Sequence, residues 1–148
     1  MLQFVTFLLA PVGYALLTLV AIRAASGRVP RALLQATAAI VLVHVVLVWT
    51  VHYGGAFSQA TRNGYAGFIL FHTALAGIVA SVFLGDRMAR RALIAAFAVV
   101  TVGALAAVFR YEVVALYRLP VAATAIAGTA GLAHAYVRRR AGLVQGRL

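Results

Sequence analysis

ALLQATAAIVLVHVVLVWTVHY, from Ala32 to Tyr53, runs for 22 residues without a formal charge, with Arg31 just before it and no further charge until Arg62. At ~1.5 Å per residue a helix of this length rises ~33 Å, enough to cross the ~30 Å hydrocarbon core of a bilayer. Four more stretches repeat the pattern: Leu2 to Ile22 before it, and Gly64 to Leu84, Ala92 to Phe109 and Leu119 to Val137 after it. The fourth holds 18 uncharged residues between Arg91 and Arg110, and the fifth holds 19 between Arg118 and Arg138, with Pro120 in its first turn, where a missing N–H is tolerated. Lipid offers no partner to a backbone polar group, and these runs lack the alternation of barrel strands, so helices are the expected form. The sequence therefore predicts an all-α integral membrane protein with five transmembrane helices, forming a single transmembrane domain over residues 1–148 with no soluble domain.

All thirteen basic residues are arginine, against two acidic ones, and they fall between the apolar runs. Arg23, Arg28 and Arg31 follow the first run, Arg87, Arg90 and Arg91 the third, and Arg138, Arg139, Arg140 and Arg147 the fifth. Only Arg62, Arg110 and Arg118 occupy the other side. Basic residues are retained preferentially in the cytoplasm, so the expected orientation has the N-terminus outside and the C-terminus cytoplasmic, in a multi-pass protein of a prokaryotic cell membrane. The first charge, Arg23, comes after the first apolar run and not before it, which marks that run as a retained anchor and not a cleaved signal. A net charge of +11 with this distribution points to lipid headgroups and not to nucleic acid. With no cysteine, disulfides, thiolate metal sites and covalent c-type haem attachment are excluded.

Ionisable residues inside a bilayer are costly and mark function by default. His44 and His52 lie on the second run, His72 on the third and His134 near the cytoplasmic end of the fifth. His44 and His72 each lie ~12–14 Å below the outer surface, on helices joined by a short loop. Two imidazoles at one depth supply axial ligands for a b-type haem, or two ligands for copper. The bland alternative is that each histidine only hydrogen-bonds a neighbouring helix. Tyr65 and Phe68 fall on the face of His72, and Arg62 or Arg110 would neutralise haem propionates. Eight α-helical residues turn His52 ~80° from His44, which assigns it to the outer rim. Glu112 is expected to form a local ion pair beside Arg110, with a metal or proton role alongside His52 as the alternative. Asp86 is expected to cap a helix or pair with Arg90. Trp49, Tyr53, Tyr65, Tyr111 and Tyr117 form an interfacial belt, and His134 belongs to the opposite interface. Two ladders of small residues, Thr73-Gly77-Ser81-Gly85 and Ala123-Ala127-Gly131-Ala135, offer close helix packing, either internal or against a partner.

The stretch His52-Tyr-Gly-Gly-Ala-Phe57, followed by Arg62-x-x-Tyr65-x-x-x-x-Leu70-x-His72-x-x-Leu75-Ala76, resembles a family of small multi-span membrane proteins that includes CtaM-type cytochrome oxidase assembly factors. Ala89-Arg90 and Thr101-Val-Gly103 resemble later elements of the same pattern, and the likeness covers about half of the chain. It implies roles for His52, Arg62, Tyr65 and His72, with His52 and His72 as metal ligands. The chain departs from the family where Pro30-Arg31 and Gly85 to Arg87 lack the family's histidines, where His44 and His134 have no counterparts, and in its fifth span. Two expectations result. One is an accessory or assembly protein of the respiratory chain that binds haem b or copper through His44 and His72, or His52 and His72, with Tyr65 and Arg62 beside the cofactor. The other is a non-catalytic subunit of a larger membrane complex or a homo-oligomer. A solute transporter fits less well, because no span carries an acidic residue to couple ions, and enzymatic activity is not expected.

Overall fold

The structure is a computed structural model that describes residues 2–62 and 64–145, with side chains as far as Ala141; Arg147 lies outside the described residues. The described residues form α1 (Leu2–Ser26), α2 (Arg31–Leu47), α3 (Phe57–Ala60), α4 (Tyr65–Ser81), α5 (Asp86–Arg110) and α6 (Arg118–Gln145). A π turn, Val48–His52, prolongs α2, and a 3₁₀ stretch, Glu112–Tyr117, leads into α6. Four helices are long and apolar enough to cross a membrane: Leu2–Ser26, Arg31–His52, Asp86–Arg110 and Glu112–Ala141. α4 is equally apolar but has only 17 residues. It stops at Ser81, three residues before the apolar run ends at Leu84.

α1 lies at the centre and packs against α2, α5 and α6, while α4 packs on α5 and α2. The shared core comprises Leu17, Val20 and Ala24 of α1, Leu34 of α2, Ile78 of α4, and Leu93 and Phe97 of α5. Helix approach depends on absent side chains. A Cβ on Gly128 of α6 would stand 2.5 Å from the Phe97 ring and 2.8 Å from Thr18 Cγ2, and one on Gly131 would stand 2.5 Å from Ile22 Cδ1. These pairings, Thr18 with Gly128 and Ile22 with Gly131, advance together along both chains, so α1 and α6 run parallel. Across α1 and α5 the Tyr14 hydroxyl shares a 2.8 Å hydrogen bond with the Thr101 hydroxyl, and the Tyr14 ring stacks on Phe97 at 6.1 Å. Among the described residues no buried side-chain polar atom lacks a partner, as a water-free surrounding demands. Many of those partners are local: Thr18, Thr37 and Ser81 each donate to the carbonyl four residues earlier.

The small-residue ladders are only partly engaged. On α6 the buried stripe is Val121, Ala125, Gly128 and Ala135, whereas Ala123 and Ala127 are exposed. On α4 Ser81 is buried, but Thr73 is exposed and a Cβ on Gly77 would meet nothing within 4 Å.

Both acidic residues close helix ends, with partners other than those expected. At the arginine-rich end the Arg31 guanidinium donates to the carbonyls of Ser81, Val82 and Leu84 and to the Asp86 carboxylate, which also accepts from the Val29 N–H. Asp86 thus pairs with Arg31 and not with Arg90, and it provides no side-chain cap to α5. The same guanidinium satisfies carbonyls that the next turn of α4 would have used, which is the physical reason the helix stops early. At the opposite end Arg118 Nε donates to the Val108 carbonyl at 2.9 Å, and its Nη2 reaches Glu112 at 2.9 Å. Glu112 therefore does form a local ion pair, with Arg118 in place of Arg110.

Candidate functional site

α2 ends in an unusual way. The Tyr53 N–H bonds the carbonyl of Val48, five residues back, and the Gly55 N–H bonds that of Trp49, before Gly54 and Gly55 reverse the chain at φ +57° and +73°. Left-handed values of this kind favour glycine, which lacks the Cβ that would clash. A π turn absorbs about one extra residue and so sets back the angular position of the residues beyond it by ~100°. The ~80° separation expected for His44 and His52 is thereby cancelled. His52 returns to the α1 side, where its ring meets Phe7 edge-on at 5.9 Å and lies 5.1 Å from Tyr53. His52 is nevertheless exposed, in keeping with a rim position.

His44 is half-buried, and its Nδ1 lies 2.9 Å from the Thr6 carbonyl of α1. A carbonyl only accepts, so Nδ1 carries a proton, and in the neutral ring the lone pair is on Nε2. His72, also half-buried, shows the same chemistry within its own helix: its Nδ1–H donates to the Phe68 carbonyl at 2.7 Å. Its ring stacks on Phe68 at 3.9 Å, Phe68 meets Phe57 edge-on at 5.3 Å, and Phe57 lies 6.2 Å from Tyr65. α3 and the first turns of α4 therefore build an aromatic shelter over one side of His72. Phe68 and Tyr65 both lie on the His72 face of α4, as the spacing implied, with Tyr65 largely exposed and 6.2 Å from Phe57.

The two half-buried histidines turn toward different surroundings. α2 and α4 are neighbours, but His44 is hydrogen-bonded to α1, and His72 falls ~120–180° around α4 from the buried Ala74, Ile78 and Ser81. Next to His72, Phe71 faces α5, where its ring covers Gly103 so closely that a Cβ there would stand 2.2 Å from Cζ. Arg62 is exposed on the loop before α4, and Arg110 lies over the Tyr111 ring at 5.6 Å. His134 is exposed among arginines at the other end of the molecule, as an interfacial residue should be. No group of three or more His, Asp or Glu side chains able to hold a metal occurs among the described residues. A haem iron takes one or two imidazole ligands, and His44 and His72 each present one half-buried ring.

Several residues that shape this region carried no sequence signal as a group. Thr6 acts through a backbone carbonyl, which every residue possesses. Phe57 sits on a loop helix whose position the apolar pattern does not specify. Tyr14 and Thr101 are separated by 87 positions.

Comparison with protein-family models, curated proteins and solved structures gives no match.

Proposed function

We propose that the chain crosses the membrane five times, with the N-terminus outside, and serves as an accessory or assembly protein of a respiratory complex, offering His72 as a ligand to haem or copper. Two features support five crossings. α4 carries the chain from the His52 end of the bundle to the end where Asp86 meets Arg31, and α1 and α6 run parallel. Among the described residues, the nine-to-three division of arginines between those ends supports the orientation.

The observation that carries the ligand role is the fixed tautomer of His72. Its Nδ1–H is held by the Phe68 carbonyl, which aims the Nε2 lone pair away from its own helix, the second-shell arrangement typical of metal-binding imidazoles. A bound haem or copper would supply one-electron chemistry there. His72 would hold it, Phe68 would cover one side of the imidazole, and a second ligand would come from the partner complex, since His44 and His52 turn toward α1. With both carboxylates tied to arginines, no acidic side chain remains to couple ion movement, and a transporter is correspondingly disfavoured.

The test is a haemin titration, with copper analysed in parallel, of the purified protein in detergent. The expected result is a saturable spectral change or bound metal near unit stoichiometry, lost in His72→Ala and retained in His134→Ala. Equal loss in both variants, or binding of neither haem nor copper by the wild type, would overturn the ligand role. It would leave the non-catalytic subunit, to be pursued by co-purification, with the uncovered face of α4 around Gly77 as the surface to examine.

A further inference from the structure

At the arginine-rich end, α1, α5 and α6 enclose an open groove of about 330 Å³ lined by Ala25, Arg90, Ile94, Leu132, Tyr136 and Arg139. Its chemistry changes with depth. On α5, Ile94 lies one turn from Arg90, ~6 Å further from the helix end. On α6, Leu132, Tyr136 and Arg139 follow one another at spacings of four and three on one face, so the guanidinium sits ~10 Å outward of the leucine. Arg140 lies over the Tyr136 ring at 4.9 Å. Arg139 also lines a neighbouring groove of about 230 Å³, together with Ser26, His134 and Arg138.

Among the described residues neither groove arginine is paired with a carboxylate. Asp86 and Glu112, the only acidic side chains in the sequence, are engaged by Arg31 and Arg118. From this juxtaposition we infer that the groove is a binding site for an acidic phospholipid, with its phosphate between Arg90 and Arg139 and an acyl chain along Ile94 and Leu132. Guanidinium pairs recognise phosphate through charge-assisted hydrogen bonds, and basic pockets between membrane helices on the cytoplasmic side are suited to anionic headgroups. A free phosphate would satisfy the arginines but leave the apolar walls uncovered, which favours the lipid. The inference rests on the membrane reading, and it is independent of any ligand role for His72.

The experiment is native mass spectrometry of the full chain in mild detergent, equilibrated with equal amounts of phosphatidylglycerol and phosphatidylcholine bearing identical acyl chains. One phosphatidylglycerol should be retained in preference to phosphatidylcholine. That preference should fall about tenfold or more in the Arg90→Gln/Arg139→Gln variant, as expected from ~1 kcal/mol per arginine near an anionic headgroup. It should persist in Arg62→Gln/Arg110→Gln, which removes the same charge from the opposite end. Should the first variant fail to fold, Arg139→Lys retains the charge and loses the forked donor, and should weaken retention while leaving the fold intact. Equal retention of the two lipids, an equal fall in both paired variants, unchanged retention in Arg139→Lys, or complete displacement of phosphatidylglycerol by millimolar inorganic phosphate would overturn the proposal. A chain that stays monodisperse without detergent would instead remove the membrane reading on which it rests.

Discussion

Asp86 and Arg31 show how a single contact closes a membrane bundle. The Arg31 guanidinium, and after it the Val29 N–H, hold the Asp86 carboxyl below the usual carboxylate range. Asp86 lies ahead of the apolar run of α5 and is partly exposed, so it can exchange protons with water. Because its value is lowered by folding, its contribution to stability is complete above the ordinary 3.8 and is lost as the pH falls through the lowered value. Thermal unfolding in detergent should therefore show an acid-side loss of stability that is smaller in Asp86→Asn. An identical acid profile in the variant would mean that the ion pair contributes nothing measurable, as is common for exposed pairs. The sequence offered Asp86 a helix cap or a pair with Arg90, one of three arginines within five positions of it. The choice of Arg31, 55 positions away, depends on how two loops meet, which no local pattern encodes.

Helices were legible to the extent that apolar run length specifies them. The first two runs reappear as α1 and as α2 with its π turn. α5 begins six residues before its apolar run, because Asp86, Arg87 and Arg90 belong to a helical turn that extends beyond it. The helix faces were less legible, and the reason is angular. Residues repeated every four positions drift ~40° per step, so a ladder such as Ala123-Ala127-Gly131-Ala135 winds ~120° around its helix. The stripe that packs alternates steps of four and three, as Val121, Ala125 and Gly128 do, and so stays on one side. This distinction can be measured. Gly128→Ala places a methyl 2.5 Å from the Phe97 ring, and overpacking of this kind costs about 1–3 kcal/mol. Gly77→Ala, with nothing within 4 Å, should leave the detergent-solubilised protein unchanged or slightly more stable, since alanine is the better helix former. Comparable melting temperatures for the two variants would contradict the packing described for α6.

For the whole molecule, an all-helical fold with helices long and apolar enough to cross a membrane was plain from the sequence, and His72 with Phe68 on its face was legible from helical spacing. The relation between His44 and His72 was not, because equal depth on neighbouring helices fixes height and leaves rotation open. Topology offers a direct check, helped by the absence of cysteine. In a five-span protein, Ser58→Cys should react with a membrane-impermeant maleimide on intact cells, and Ala141→Cys only after permeabilisation. The reverse pattern would invert the orientation, and labelling of both from outside would remove a crossing.

The pairing of both carboxylates has a consequence for how the molecule senses its surroundings. All thirteen formally charged basic side chains are arginine, whose guanidinium is charged across the physiological range. Lysine, whose charge acetylation would remove, is absent, and each acid is already matched to a cation. Apart from its histidines, the protein therefore carries an almost constant charge across the physiological range. With the arginine-rich end facing the cytoplasm, as proposed, its grip on that leaflet would be tuned from the membrane side, by how many anionic lipids the cell places beneath it.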